Sequence, residues 1–244
     1  MPDSSVVIVT GIEHSGTSLL ARLLLQHPDL AGGFEGGLLL APEPARFPEI
    51  DPWYEWMMDA IEAGHWGVPE SLVHRICEAG TWEGAYAAIR ATSPLFTSAH
   101  QRLLDKTPAY QGCLDQVLGK APAGTPCLII EKSPANLWRS FRKRTTFAEF
   151  EGRFRRFQVN LRRAASTHGA SIVRIQHESL CCDLAGELAR AFHVIGLDDS
   201  PAFAREAGAI RSRFESDSAV GLPAPEADQV RALADGLGID PGHL

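Results

Sequence analysis

Long apolar runs are missing from this sequence. No stretch approaches the roughly 20 apolar residues needed to span a bilayer, so no membrane-spanning helix is expected. The amino terminus, MPDSSVVIV, lacks the basic start of a secretory signal. Cysteine is sparse and unpatterned: Cys77, Cys113, Cys127, Cys181 and Cys182 are odd in number and show no C-x-x-C spacing. That indicates neither a disulfide framework nor a zinc site. His65, His74 and His100 are scattered without metal-ligand spacing, and no metal is expected. Positive charge is in deficit, and a net charge of −7 argues against a general nucleic-acid binder. Internal repeats and low-complexity segments are absent too. What is left is a chain of 244 residues, 45% hydrophobic, expected in a reducing, cytoplasmic setting. It is long enough to bury a full core as one domain over residues 1–244.

One component that P-loop NTPases require is also absent. Residues 6 to 25, VVIVTGIEHSGTSLLARLLL, read as strand, tight glycine loop and helix, with no proline until Pro28. That order aims backbone N–H groups and a helix N-terminus at a phosphate. Against G-x-x-x-x-G-K-[ST] the spacing holds at Gly11, Gly16 and Ser18, but Thr17 stands where the lysine belongs. In a nucleoside triphosphatase that lysine reaches the β- and γ-phosphates. A loop that keeps the glycines, gains hydroxyls at Ser15, Thr17 and Ser18, and drops the lysine suits a smaller anionic group such as a 5′-phosphosulfate. A turn that merely joins strand to helix is the plain alternative.

Further stretches carry chemistry-bearing residues. Glu35 sits between Gly32-Gly33 and Gly36-Gly37. Glycines let backbone approach a ligand closely, so Glu35 reads as a solvated loop acid or as a general base. QRLLDKTPAY, residues 101–110, ends a short apolar piece in Asp105-Lys106-Thr107-Pro108. Residues 127–130 read as a strand running into Glu131-Lys132-Ser133-Pro134, with the proline suited to a first helical position. Residues 172–175 read as another strand, followed by QHESL and a helix that closes near Gly196. Nine of the 23 basic residues fall between Arg139 and Arg163, most expected on a solvated face and a few near the start expected to frame a phosphate or an anionic acceptor. Phe147, Phe150, Phe154, Phe157 and Leu161 recur there at helical spacing, which predicts a long amphipathic helix with a break near Gly152. Residues 41–70 are rich in proline and aromatics and read as an ordered lid or a packed insertion. Residues 69–91 read as a helical pair serving the core, with Leu72, Val73, Ile76, Trp82, Tyr86 and Ile89 at helical spacing, and a tail helix ends at Gly238.

In order and residue type, GIEHSGTS, DKTPAY, EKSP with Ser140, and QHESL resemble the bacterial-type PAPS-dependent sulfotransferases. PAPS is 3′-phosphoadenosine-5′-phosphosulfate. The resemblance runs from Val6 to about Leu237 and is weakest over 40–100, where acceptor-binding insertions vary. It implies the P-loop-like sulfotransferase fold, an α/β architecture with a central parallel sheet flanked by helices. The alternation of strands and helices points the same way.

The resemblance also implies in-line transfer of a sulfonate from PAPS to an acceptor hydroxyl or amine on a small molecule, carbohydrate or lipid. Ser15, Gly16, Thr17 and Ser18 would hold the 5′-phosphate. His14 occupies the place beside the sulfuryl group where the family has Lys or Arg. Glu35 would be the base and Lys106 a stabiliser of developing charge. Lys132, replacing an arginine, and Ser140, eight residues on, would bind the 3′-phosphate. Arg211 and Arg213, expected in a polar loop, would assist, and Glu178 would brace the end of its strand. Two alternatives stand beside this: a P-loop-type small-molecule kinase, against which Thr17 speaks, and a non-catalytic nucleotide-binding relative, which the replacements at His14 and Lys132 favour.

Overall fold

The structure is a computed structural model that describes residues 4–59, 64–197, 203–218 and 221–242. Val6–Thr10 forms β1, a run of β-branched residues buried along its whole length. A strand covered on both faces needs such a continuous apolar run. Helix α1, Thr17–Leu24, follows the glycine loop, and β2, Leu30–Ala31, is a two-residue edge strand. The chain then leaves the sheet for α2 (Trp53–Met58), α3 (Glu70–Cys77) and α4 (Trp82–Thr92), and returns as β3 (Arg102–Lys106). Next come α5 (Leu114–Lys120), β4 (Cys127–Glu131), α6 (Pro134–Phe141), α7 (Phe147–His168) and β5 (Ile172–Gln176). Four helices close the described chain: α8 (His177–Cys182), α9 (Leu184–Ile195), α10 (Ala204–Ser218) and α11 (Ala224–Leu237).

The strand order is β2-β3-β1-β4-β5, and every described pairing is parallel. Side chains alternate across the sheet. Val6 and Ile8 join a core with Leu103, Ile129 and the phenylalanines of α7, whereas Val7 and Val9 join one with Leu104, Leu128 and the apolar faces of α1 and α9. The parallel sheet flanked by helices is therefore as expected. With β1 central, the chain departs from it toward β3 on one side and β4 on the other. Such a switch point opens a crevice at the carboxyl ends of the strands. Among the described residues, no helix is long and apolar enough to cross a membrane.

Three details depart from the sequence reading or complete it. The amphipathic helix is interrupted at Arg142–Thr146, not at Gly152: α6 ends at Phe141, and Thr146 with Glu149 forms a capping box that starts α7 afresh. Gly152 has open space around it and lies inside α7, where a glycine costs only about 1 kcal/mol of propensity. Arg211 and Arg213 lie in a helix, α10, rather than a loop. The insertion after β2 is packed, since Phe47, Met57, Trp66 and Val68 are fully buried in the α7-side core.

Candidate active site

The glycine loop at the end of β1 is shaped by close contacts. Gly16 has φ 108°, and a Cβ there would lie 2.7 Å from the His177 ring. Gly16 caps α1 without any side-chain bond, so the first N–H groups of the helix have no cap. Thr17, in the lysine position, is buried. Ser15 is fully buried, and its Oγ has no hydrogen-bond partner among the described residues. A buried hydroxyl without a partner costs free energy unless something else meets it, which fits a loop built around an anion. His14 takes a left-handed φ of 65° and stands edge-on to Phe141 at 4.9 Å. Burial, then the nearby Arg144, lower its pKa, with Lys132 and Arg153 adding to this against Glu13.

Beside α1 lies a cleft of about 870 Å³, within the size range of small-molecule sites. Arg22, Lys132, Arg139, Arg142, Lys143 and Arg213 line it, with Asp217 as the one carboxylate among the described lining residues. In a chain of net charge −7, six cations around one cleft give it a positive field of the kind that suits a multiply charged anion. Lys132 Nζ donates to Ser140 Oγ at 3.2 Å, so the two sequence-predicted partners do meet. Ser140 also donates to the Asn136 carbonyl at 3.2 Å.

Glu178 braces this corner. Its carboxylate accepts from Ser133 N–H at 3.0 Å, Ser133 Oγ at 2.7 Å and Asn136 Nδ2 at 2.8 Å, tying the turn after β4 to the start of α8. Burial alone would raise the Glu178 pKa; the Asn136 and Ser133 donors outweigh it and leave the pKa lowered. Burial lowers the Lys132 ammonium, against an opposing pull from Glu178. Of the two arginines on α10, Arg213 lines the cleft. Arg211 is not among the lining residues and pairs with the exposed Glu215 at 3.0 Å.

A second cluster lies across β1. Lys106 ends β3 in register with Val9 of β1, and its Nζ meets Glu35 Oε1 at 3.3 Å. Their side chains are 6% and 17% exposed, so neither is a free surface charge. The Phe34 ring covers Lys106 Nζ at 4.3 Å. Burial lowers the Lys106 pKa, while Glu35 and Asp105 oppose that fall. The glycines flanking Glu35 are there for contact. A Cβ on Gly36 would stand 2.7 Å from Asp105 Oδ1, and one on Gly37, at φ 67°, only 2.1 Å from the Trp53 ring. The Glu35 loop is thus held between β3 and the tryptophans of the packed insertion.

No family model matches the sequence, and no curated protein does. Solved structures do match the fold. The sulfotransferase domain from the Synechococcus PCC 7002 olefin synthase superposes with a TM-score of 0.68 at 19% identity, covering 98% of this chain and 96% of that one. The sulfotransferase domain from the curacin biosynthetic pathway gives 0.68 at 13% identity, over 98% and 99% of the two chains. A sulfotransferase from Alicyclobacillus acidocaldarius gives 0.51 at 15% identity, over 98% of each. The chain has the sulfotransferase fold.

Within this sulfotransferase fold, the sequence reading missed several residues at the cleft. Arg22 lies on the first helix, and His177 faces the glycine loop and Phe214 at a ring distance of 5.9 Å. Burial, with help from Lys132, pushes the His177 imidazole down to about 4. The histidine of QHESL carried that signal in its place between a strand end and a helix start. Arg139, Arg142 and Lys143 stood near the start of the basic run, where a few cations were expected to frame an anion but spacing alone did not say which.

Proposed function

We propose that the protein is a PAPS-dependent sulfotransferase that moves a sulfonate onto the hydroxyl, or amine, of a small-molecule, carbohydrate or lipid acceptor in the cytoplasm. The observation that carries this reading is the six-cation cleft, with Lys132 and Ser140 meeting in its wall beside the uncapped glycine loop. The donor would supply the activated sulfonate. Backbone N–H groups of Ser15 to Ser18 and the Ser15 hydroxyl would bind its 5′-phosphate, and Lys132, Ser140 and Arg213 its 3′-phosphate. Arg211, paired with Glu215, would contribute charge at longer range.

Glu35 accepts the proton of the acceptor hydroxyl. The acceptor oxygen bonds to sulfur as the bond from sulfur to the bridging phosphate oxygen breaks, and adenosine 3′,5′-bisphosphate leaves. A positioned base of this kind contributes about 10² to 10⁴ in rate. Lys106, buried beside Glu35, stabilises charge on the sulfonate and bridging oxygens from a site of low polarity. His14, with its lowered pKa, acts near neutral pH mainly as a neutral imidazole donor. That same property favours the second reading, a nucleotide binder without turnover, because a cation is lost where transfer would use one.

Calorimetric titration with adenosine 3′,5′-bisphosphate, 5′-AMP and ATP·Mg²⁺ tests the proposal. Preferential binding of the bisphosphate is expected. Binding of ATP·Mg²⁺ alone would overturn the reading in favour of a kinase. Tight bisphosphate binding with no transfer across a broad acceptor panel would favour the non-catalytic binder.

A further inference from the structure

Around the Glu35–Lys106 pair, the residues of DKTPAY have separate tasks. Lys106 reaches Glu35, while Asp105, Thr107 and Tyr110 turn to the backbone that follows Glu35. The Gly36 N–H donates to the Asp105 carboxylate, the Gly37 N–H donates to Thr107 Oγ1 at 3.0 Å, and the Leu39 N–H donates to Tyr110 Oη at 3.1 Å. The three acceptors are themselves joined. Thr107 Oγ1 and Tyr110 Oη each donate onward to Asp105 at 2.7 Å, and Tyr86, on α4, donates to it at 2.7 Å as well.

All four side chains are fully buried. Four donors converge on one carboxylate, an arrangement that the anion satisfies and a protonated acid does not. Thr10 extends the tie to β1 by donating to the Thr107 carbonyl at 2.9 Å.

We infer that Asp105, together with Thr107, Tyr110 and Tyr86, is a positioning network that fixes the Glu35 loop against Lys106. Its catalytic meaning rests on the reading of Glu35 and Lys106 as the reacting pair; its geometry does not. Two effects follow. The network anchors three N–H groups within four residues of Glu35, so the carboxylate is delivered by a docked backbone. Asp105 also places a buried negative charge one residue from Lys106, which adds to the larger pull of Glu35 against the lowering of the Lys106 pKa by burial. The groups facing Lys106 are the Glu35 carboxylate, the Phe34 ring and, through the chain, Asp105.

The test uses the 244-residue chain labelled for lysine side-chain and amide NMR, without ligand. In Tyr86→Phe, the amides of Gly36, Gly37 and Leu39 should exchange about tenfold faster, as expected for one lost buried hydrogen bond, while those of β4 keep their protection. In Asp105→Asn, the same amides should be exposed further. The Lys106 Nζ titration should also fall to lower pH, whereas merely loosened packing would hydrate the ammonium and raise it.

Unchanged protection of the three amides in folded Tyr86→Phe would overturn the network. An unchanged Lys106 titration in Asp105→Asn would overturn its electrostatic role. If Asp105→Asn fails to fold, Tyr86→Phe alone decides. Bisphosphate titration of the same samples should give affinities within about twofold of wild type, since Tyr86 lies across β1 from the cleft. Failure of the wild type to bind bisphosphate would count against the sulfonate-transfer reading and leave the network's own data standing.

Discussion

Replacing Lys132 with alanine tests the basic cleft at its best-defined point. The Lys132 ammonium lies 3.2 Å from Ser140 Oγ, and both line the cleft. Burial has already lowered its pKa, so much of its desolvation cost is met before a ligand arrives. A hydrogen bond to a charged group is worth about 1.5–3 kcal/mol. Taking about 2 kcal/mol, Lys132→Ala should weaken adenosine 3′,5′-bisphosphate about 30-fold. The assay is calorimetric titration at one fixed ionic strength, with 5′-AMP as the ligand that lacks only the 3′-phosphate. For 5′-AMP the loss should stay under about threefold, leaving only long-range attraction at stake. The pH dependence has a definite sign. The wild-type preference for bisphosphate over 5′-AMP should shrink as pH rises through the lowered Lys132 pKa, below 10.5, and the variant should lack that decline. Equal losses for the two ligands would refute the assignment, because Lys132 would then not be reading the 3′-phosphate.

The two arginines of α10 should separate. Arg213→Ala should weaken the bisphosphate about tenfold, while Arg211→Ala, exposed and paired with Glu215, should change it by less than about twofold; the reverse order would show that α10 is turned differently. Gly37→Ala should destabilise the fold by about 3 kcal/mol, because a left-handed φ and a Cβ 2.1 Å from Trp53 act together. Urea unfolding measures this, and a change under about 0.5 kcal/mol would show that the Glu35 loop is not compressed as described. His177, whose pKa is pushed down to about 4, stays neutral in the folded chain while the unfolded chain protonates near pH 6.5. Its contribution is therefore complete above pH 6.5 and is lost as pH falls toward 4, about 3 kcal/mol in all. Urea midpoints at the two ends of that window should show the loss, and His177→Phe should show a smaller one; parallel curves would contradict the assignment.

Much of the candidate site was readable because its parts are short contiguous stretches. The glycine loop, DKTPAY, and Lys132 with Ser140 are each local in sequence, and the structure brings them to the carboxyl end of one sheet. β2 left no trace because two residues carry no periodicity. The interruption before α7 was misplaced because glycine is a visible breaker, whereas the Thr146–Glu149 capping box that starts the helix anew went unread. The helical setting of Arg211 and Arg213 was missed because α10 offers few apolar positions: its arginines, glutamates and serines read equally well as loop. Tyr86 was read as a core residue of a helical pair. That was correct as to burial and silent as to its hydroxyl, whose partner lies 19 residues away on another element.

The order of the strands has a practical meaning for redesign. β2 and β3 are neighbours in the sheet, so the chain between them leaves and re-enters at one edge. The excursion, residues 32–101, is a single cassette with both ends anchored side by side, and none of its described residues is among those lining the cleft. It can be exchanged between proteins of this fold as one graft with two junctions, leaving the cation-lined half intact. The graft must bring a carboxylate in the place of Glu35, a backbone N–H in the place of Gly36 and a hydroxyl in the place of Tyr86, or Lys106 loses its partner and Asp105 is left underground without two of its donors.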